Sequence, residues 1–319
     1  MIVNKLLASA FTLSFLASSG FAADLPSHKA PLPAPPPPAP LWTGFYAGLN
    51  AGYSWSNANA LGTATGVIKP FPADVGAPPF FGQGSAAAAL SATGVANAPM
   101  GGFIGGGQIG YNYQSNNFVA GVEADIQGAT VSGGGGFLNA AIEPVFRNDR
   151  AVSNVDTRRS VDWLGTVRGR VGYLLTPDFL VFGTGGLAYG GITATTRLLN
   201  GWSDVGNLPC FGIACSASSL GGIGSVSKTA VGWTAGGGFE WMVMPNVSLK
   251  AEYLYYDLGA AAWTTTWSVS GFIPSFIPIF PQAGSFLSAH RAHFDGHIAR
   301  AGVNYHFDFG APAPVVASY

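Results

Sequence analysis

The residue types in this 319-residue chain that could do chemistry fall into a few groups. His290, His293 and His297 lie close together with Asp295 among them. Histidines two to four apart can share a metal or a haem iron, and a His–Asp pair can serve as base and orienter. However, His293 and His297 share the alternation of the apolar residues around them, and no serine is marked out as a nucleophile. Imidazoles on an outer rim explain the cluster better than a metal or hydrolytic site. Cys210 and Cys215 have four residues between them and no histidine close by, so zinc would lack further ligands. In an exported chain they are expected to form a local disulfide that closes a small loop and adds little to stability. Gly105-Gly-Gly107-Gln-Ile-Gly110 fits the dinucleotide pattern G-x-G-x-x-G. That chemistry needs a strand-to-helix turn, whereas Tyr111-Asn-Tyr-Gln continues a two-residue alternation, so the match is rejected.

The ionisable residues inside alternating segments form the most informative group. Side chains on a strand point to opposite faces in turn. This parity puts Glu123, Asp125, Asp162, Arg168, Arg170, Glu240, Lys250, Glu252 and Arg300 on the faces opposite the apolar ones. Their signs are about balanced. If those faces enclose a narrow lumen, the charges must pair, because an unpaired buried charge is costly. A salt-bridged plug is the favoured reading and a narrow ion path the alternative.

The elements that would carry these groups alternate clearly. Segment 44–56 sets Phe45, Ala47, Leu49, Ala51, Tyr53 and Trp55 on one face, and 102–114 does the same with Phe103, Ile109, Tyr111 and Tyr113. In 118–128 the apolar set is Phe118, Ala120, Val122, Ala124 and Ile126; in 161–175 it is Val161, Trp163, Val167, Val171 and Tyr173. Segments 229–243, 247–257 and 296–307 continue the theme, while 179–193 is apolar with ambiguous facing. That makes about eight strands, each long enough to cross a bilayer, which takes ~9–11 residues. Tight turns at Ser115-Asn116-Asn117, Thr176-Pro177-Asp178 and Met244-Pro245-Asn246 alternate with long connections near 57–100, 131–160, 194–228 and 258–294. Short turns at one end and long loops at the other are the layout of a transmembrane barrel.

Composition agrees. Charged residues make up 9%, glycine contributes 46 residues, mean hydropathy is only +0.30, and the net charge of −1 gives no field for nucleic acid. Half of each barrel strand faces inward, so low charge and mild hydropathy are compatible. Residues 1–22 read as a secretory signal, with Lys5, an apolar core from Leu6 to Leu16, and small Gly20 and Ala22 before cleavage. Residues 23–41 read as a proline-rich extended tether, 42–307 as the barrel and 308–319 as a short C-terminal extension.

The last strand ends in Arg300-x-Gly302-x-x-Tyr305-x-Phe307, which resembles the C-terminal signal read by the assembly machinery of bacterial outer-membrane barrels. With Leu41-Trp-Thr-Gly-Phe-Tyr-Ala-Gly-Leu-Asn-Ala-Gly-Tyr53 and Asp162-Trp-Leu-Gly-Thr-Val-Arg-Gly-Arg-Val-Gly-Tyr173, the chain resembles the small outer-membrane immunogenic and porin-named proteins of alphaproteobacteria. The resemblance implies an all-β, OmpA-like, antiparallel up-and-down barrel of eight strands in the outer membrane. It implies no single activity: envelope integrity and surface contact are the family's roles. The expected function is therefore structural, with no enzyme activity and no cofactor. The expected partners are outer-membrane lipid and lipopolysaccharide, the assembly machinery, and host or cell-surface partners at the loops. The alternatives are a narrow porin and a ligand-binding or lipid-modifying barrel built on the histidines.

Overall fold

The computed structural model describes residues 41–56, 60–70, 84–142, 150–203, 221–272 and 281–307. The signal segment, nearly all of the tether, Cys210, Cys215 and the C-terminal extension lie outside the described residues. In chain order the elements are β1 (Gly44–Trp55), β2 (Ala60–Lys69), the helix α1 (Gly84–Ser91), β3 (Gly94–Asn97), β4 (Met100–Ser115), β5 (Phe118–Ile142), β6 (Arg150–Thr176), β7 (Phe179–Ser203), β8 (Gly221–Met244), β9 (Val247–Phe272) and β10 (Pro281–Phe307). Neighbours run β1-β4-β5-β6-β7-β8-β9-β10, and β1 pairs with β10 to close the ring. This seam leaves no free edge along the stretch where β1 and β10 pair, which is what allows strands to cross a membrane.

Eight staves result, because β2 prolongs β1. Trp55 pairs with His297 of β10, and the same edge of β10 then receives β2 from Gly62–Arg291 upward. Short β3 leads into β4 and pairs with β2. The long connections of the sequence are thus themselves built largely of strand. Segment 179–193, ambiguous in sequence, turns Leu180, Phe182, Ala188 and Ile192 inward and Val181 and Leu187 outward.

Two aromatic girdles bound an apolar belt on the outside. Near the short turns lie Phe45 against Tyr111, Phe118 against Tyr173, and Phe179 against Phe239. Higher up lie Tyr53 against Phe103, Trp163 against Tyr189, and Trp233 against Tyr255. Between them Leu49, Ile109, Val122, Ile126, Val167, Val171, Leu187, Val231, Leu249 and Val303 are exposed. Along a strand the named girdle residues are six to ten residues apart; at ~3.3 Å per residue and a tilt of about 40°, that climbs about 15–25 Å, against ~25 Å for a barrel's lipid-facing band.

Above the upper girdle the pattern inverts. In β6, Ala151, Val155 and Val161 are buried while Asn154, Asp156 and Arg158 are exposed. In β9, Trp263, Trp267 and Val269 are buried while Thr264, Thr266 and Ser268 are exposed. Below the girdle polar groups face in and apolar ones face lipid; above it more polar residues face out, and the interior mixes apolar Val155, Trp263 and Trp267 with Ser153, Thr157 and Thr265. Register shifts at Gly128/Val131, Val161/Trp163 and His293/Asp295 fall in the zone where the two halves meet. At the last of these, β9 bulges at Gly259, whose φ of 75° is a conformation favouring glycine, and the Asp257 carboxylate accepts its amide at 2.7 Å.

The interior is filled in layers. Trp42, Val119, Leu174, Leu180, Phe182 and Met242 form the floor at the short-turn end. A charged layer follows, then an apolar layer that includes Leu164, Ile192, Tyr256, Trp263 and Phe294. At the far end α1 enters the lumen, its alanines packed on Val155, Leu198, Trp267 and Phe286.

Candidate functional site

The floor is set by the residue that leads into β1. The Trp42 indole donates to the Pro177 carbonyl at 2.9 Å, and the Trp42 amide donates to Gln114 Oε1 at 3.1 Å. Its ring meets His306 edge-on at 5.7 Å, and the side chain is fully buried.

Directly above, four carboxylates (Glu123, Asp125, Glu240, Glu252) face four cations (Arg168, Arg170, Lys250, Arg300), all buried. Register explains part of this arrangement: Glu123 lies opposite Arg168, and Glu252 opposite Arg300. Other pairs run diagonally along paired strands or reach across the lumen. Arg168 bonds Glu123, reaches Asp125 at 2.9 Å and Glu252 at 2.6 Å. Lys250 sits 2.7 Å from Glu123 and 3.4 Å from Glu252, although its register neighbour is Glu240. Arg300 bridges Asp125 at 2.9 Å and Glu252 at 2.7 Å. Arg170 bonds Glu240, and its guanidinium lies 3.9 Å from the centre of the Phe182 ring.

Neutral groups complete the layer. Tyr46 OH donates to Glu123 Oε2 at 2.6 Å, Thr166 OH donates to Asp125 at 2.9 Å, and Asn304 donates to Glu240 at 2.7 Å. His306 Nε2 lies 2.9 Å from Ser248 Oγ and 3.5 Å from Glu240. The network joins β5, β6, β8, β9 and β10, and Tyr46 adds β1. On the neighbouring strand β7, Gly186 pairs with Arg168, and a Cβ there would lie 2.1 Å from the Val167 carbonyl oxygen.

Asp162 does not belong to the set expected from parity. It is exposed, accepting from Ser160 at 2.9 Å and Thr193 at 3.1 Å. The β6 register shift between Val161 and Trp163 reverses the facing above it, burying Val161 and turning Asp162 outward. The same reversal buries Arg159, which falls within the long connection 131–160 expected from the sequence. Arg159 donates to the His293 carbonyl at 2.8 Å and to the Ala98 carbonyl, and its guanidinium stands 5.6 Å from the Phe294 ring centre. Tyr46 and His306 were also missed, although parity places both inward.

The three histidines do not come together. His290 points into the lumen between Thr63 (3.0 Å) and Thr265 (2.9 Å). His293 and His297 are on the outside. His293 pairs with Asp257 at 2.9 Å, and His297 stacks against Trp55 while meeting the Tyr253 hydroxyl at 2.6 Å. His290 therefore shares no site with His293 and His297, and no group of three or more His, Cys, Asp or Glu side chains placed to hold a metal occurs among the described residues. Of the terminal-strand residues, Arg300 is in the charge network, whereas Tyr305 and Phe307 face outward and pack at 5.1 Å within the lower girdle. Gly302 lies opposite Asn50 of the closing strand.

Comparison with known proteins fits this architecture. The chain is 32% identical over 306 residues to the 31 kDa outer-membrane immunogenic protein of Brucella melitensis, covering 92% of this chain and 96% of that one. It is 33% identical over 156 residues to the 22 kDa outer membrane protein of Rhizobium leguminosarum bv. viciae, covering 48% and 52%. Among solved structures, the outer membrane protein OprG of Pseudomonas aeruginosa aligns over 83% of this chain and 96% of its own, with a TM-score of 0.33 and 14% identity. Residues 15–307 match the family model of the outer membrane protein beta-barrel domain, and the chain therefore belongs to that family of the bacterial outer membrane.

Proposed function

We propose that this protein is a structural barrel that keeps a sealed wall in the outer membrane and presents its tall outer end to surface partners. The balanced, buried charge network carries this reading. A selectivity filter would be dominated by one sign, whereas here each carboxylate is matched by a cation. Small barrels have interiors just wide enough for side chains to fill. The narrow-porin alternative would need this layer to part, and the histidine-based enzyme would need side chains that face opposite ways. Outer-leaflet lipid and lipopolysaccharide surround the wall in this reading, the assembly machinery reads the strand ending at Phe307, and host or cell-surface partners meet the exposed outer strands and loops. Deleting the gene in the parent bacterium should raise sensitivity to detergents and large antibiotics, and the wild-type copy should restore resistance. Unchanged sensitivity in the deletion strain would remove the envelope role.

A further inference from the structure

We infer that the outer surface of the wall along β10 holds one molecule of an acylated, phosphorylated glycolipid. An acyl chain lies in an apolar groove below the upper girdle, and a phosphate on the sugar head meets a cationic pocket above it. The inference rests on the reading above that this end of the barrel meets the outer leaflet.

The groove opens on the lipid side with a volume of about 700 Å³. Ala51 of β1, Gly105 of β4 and Gly128 of β5 lie in one row of strand partners and form its floor, which Ala299 extends onto β10. Tyr53 and Phe103, in edge contact at 5.4 Å, stand along its upper rim. The next row towards the short turns carries Leu49, Val303 and Ile126, all exposed, so the floor is a trench between two ridges. The hydroxyl of Thr130 at its edge already donates to the Phe103 carbonyl at 3.2 Å. A trench of this chemistry inside the membrane fits an acyl chain, which gains close dispersion contact with the backbone where side chains are small.

A second pocket, of about 310 Å³, opens on the same outer surface further along β10, lined by Ala60, Gly62, Val95, Ala260, Arg291 and His293. It forms where the wall bulges between His293 and Asp295, and a Cβ added at Gly62 or Gly259 would meet nothing within 4 Å. Both carboxylates nearby are engaged: His293 Nε2 lies 2.9 Å from Asp257, and the Tyr255 hydroxyl donates to Asp295 at 3.1 Å. Arg291 is exposed and has no hydrogen bond or ion pair among the described residues. A free guanidinium beside an imidazole in a concavity is suited to a phosphate, which it can grip with two parallel N–H donors.

Height selects the kind of lipid. His293 stands four residues above His297, which pairs with the girdle residue Tyr255. At ~3.3 Å per residue and a tilt of about 40°, that is about 10 Å above the girdle, and Arg291 is about 15 Å above it. The polar layer of a bilayer is only about 5–8 Å deep on each side. The phosphate of a glycerophospholipid therefore ends below the pocket, whereas a phosphate carried on a sugar head reaches it.

The test is lipid retention by the refolded protein in detergent micelles, read by native mass spectrometry. The protein is incubated with lipid A bearing its phosphates, with the same lipid A freed of phosphate, or with phosphatidylglycerol. We expect one lipid A per barrel, with retention at least about tenfold weaker for the dephosphorylated form and for Arg291→Gln. Arg291→Gln should cause no further loss with the dephosphorylated lipid. Ala51→Leu, which fills the trench from an exposed position, should weaken both forms of lipid A alike. Arg158→Gln removes an exposed cation elsewhere on the wall and should change nothing. The comparison of the two lipid A forms uses the unaltered protein, so it does not depend on any variant folding. Equal retention of phosphatidylglycerol, no retained lipid A, equal retention of the two lipid A forms, or displacement of lipid A by inorganic phosphate would each overturn the proposal. So would retention untouched by Arg291→Gln or Ala51→Leu. Because binding in micelles does not depend on orientation in the cell, such a failure would leave the sealed barrel and its deletion phenotype standing.

Discussion

Arg168 touches three carboxylates on two other strands, so removing its guanidinium leaves Glu123, Asp125 and Glu252 short of a partner at once. Breaking a buried pair costs roughly 3–5 kcal/mol. Arg168→Ala should therefore lower the barrel's unfolding temperature clearly, read by heat-shifted mobility of the folded form, while Arg168→Lys recovers only part because it cannot fork between carboxylates. An unchanged temperature in Arg168→Ala would mean the pairs are not desolvated. Asp162 makes the opposite case. It lies outside the lumen with two hydroxyl partners, so Asp162→Ala should shift stability by no more than about 0.5 kcal/mol. A loss as large as that of Arg168→Ala would put Asp162 back among the lumen charges. Eight of the lumen charges could be read from the sequence because two-residue parity holds along the lipid-crossing stretch of each strand. Their partners could not be read: Lys250 passes over its register neighbour Glu240 for Glu123 across the lumen, a choice set by barrel closure.

At the scale of the strand, the lipid-crossing halves were legible and the outer halves were not. Below the upper girdle, apolar residues alternate on the lipid side and advertise the strand. Above it the outside is water, so Thr264, Thr266 and Ser268 face out and the segment reads as a polar loop. Bulges at the junction then shift the parity by one, which hid Arg159 and misplaced Asp162. Helix α1 was invisible for another reason: four alanines in an alanine- and glycine-rich connection carry no periodic signal. The last strand gives a direct test at this scale. Phe307 pairs with Phe45 at the closing seam and packs on Tyr305, with Asp308–Tyr319 beyond it. Deleting Asp308–Tyr319 should leave assembly into the outer membrane largely intact, while Phe307→Ala should reduce the folded fraction in membrane extracts. The reverse outcome would move the recognised end to Tyr319.

For the barrel as a whole, the described residues fill the lumen in successive layers: Trp42 at the floor, the charge network within the membrane, the apolar layer above it and α1 at the outer end. The lower part is a membrane barrel and the upper part a water-soluble one, joined where the wall bulges. Because the balanced network spans five staves and Tyr46 ties in a sixth, we propose it as both seal and brace. The most direct measurement of that claim is single-channel current through the purified, refolded protein in a planar lipid bilayer. The wild type should show no steady conductance, and Arg168→Ala or Arg170→Ala should, if anything, introduce leakage together with a lower unfolding temperature. Steady wild-type conductance, with these substitutions changing ion selectivity and leaving stability untouched, would contradict the sealed barrel and put a narrow pore in its place.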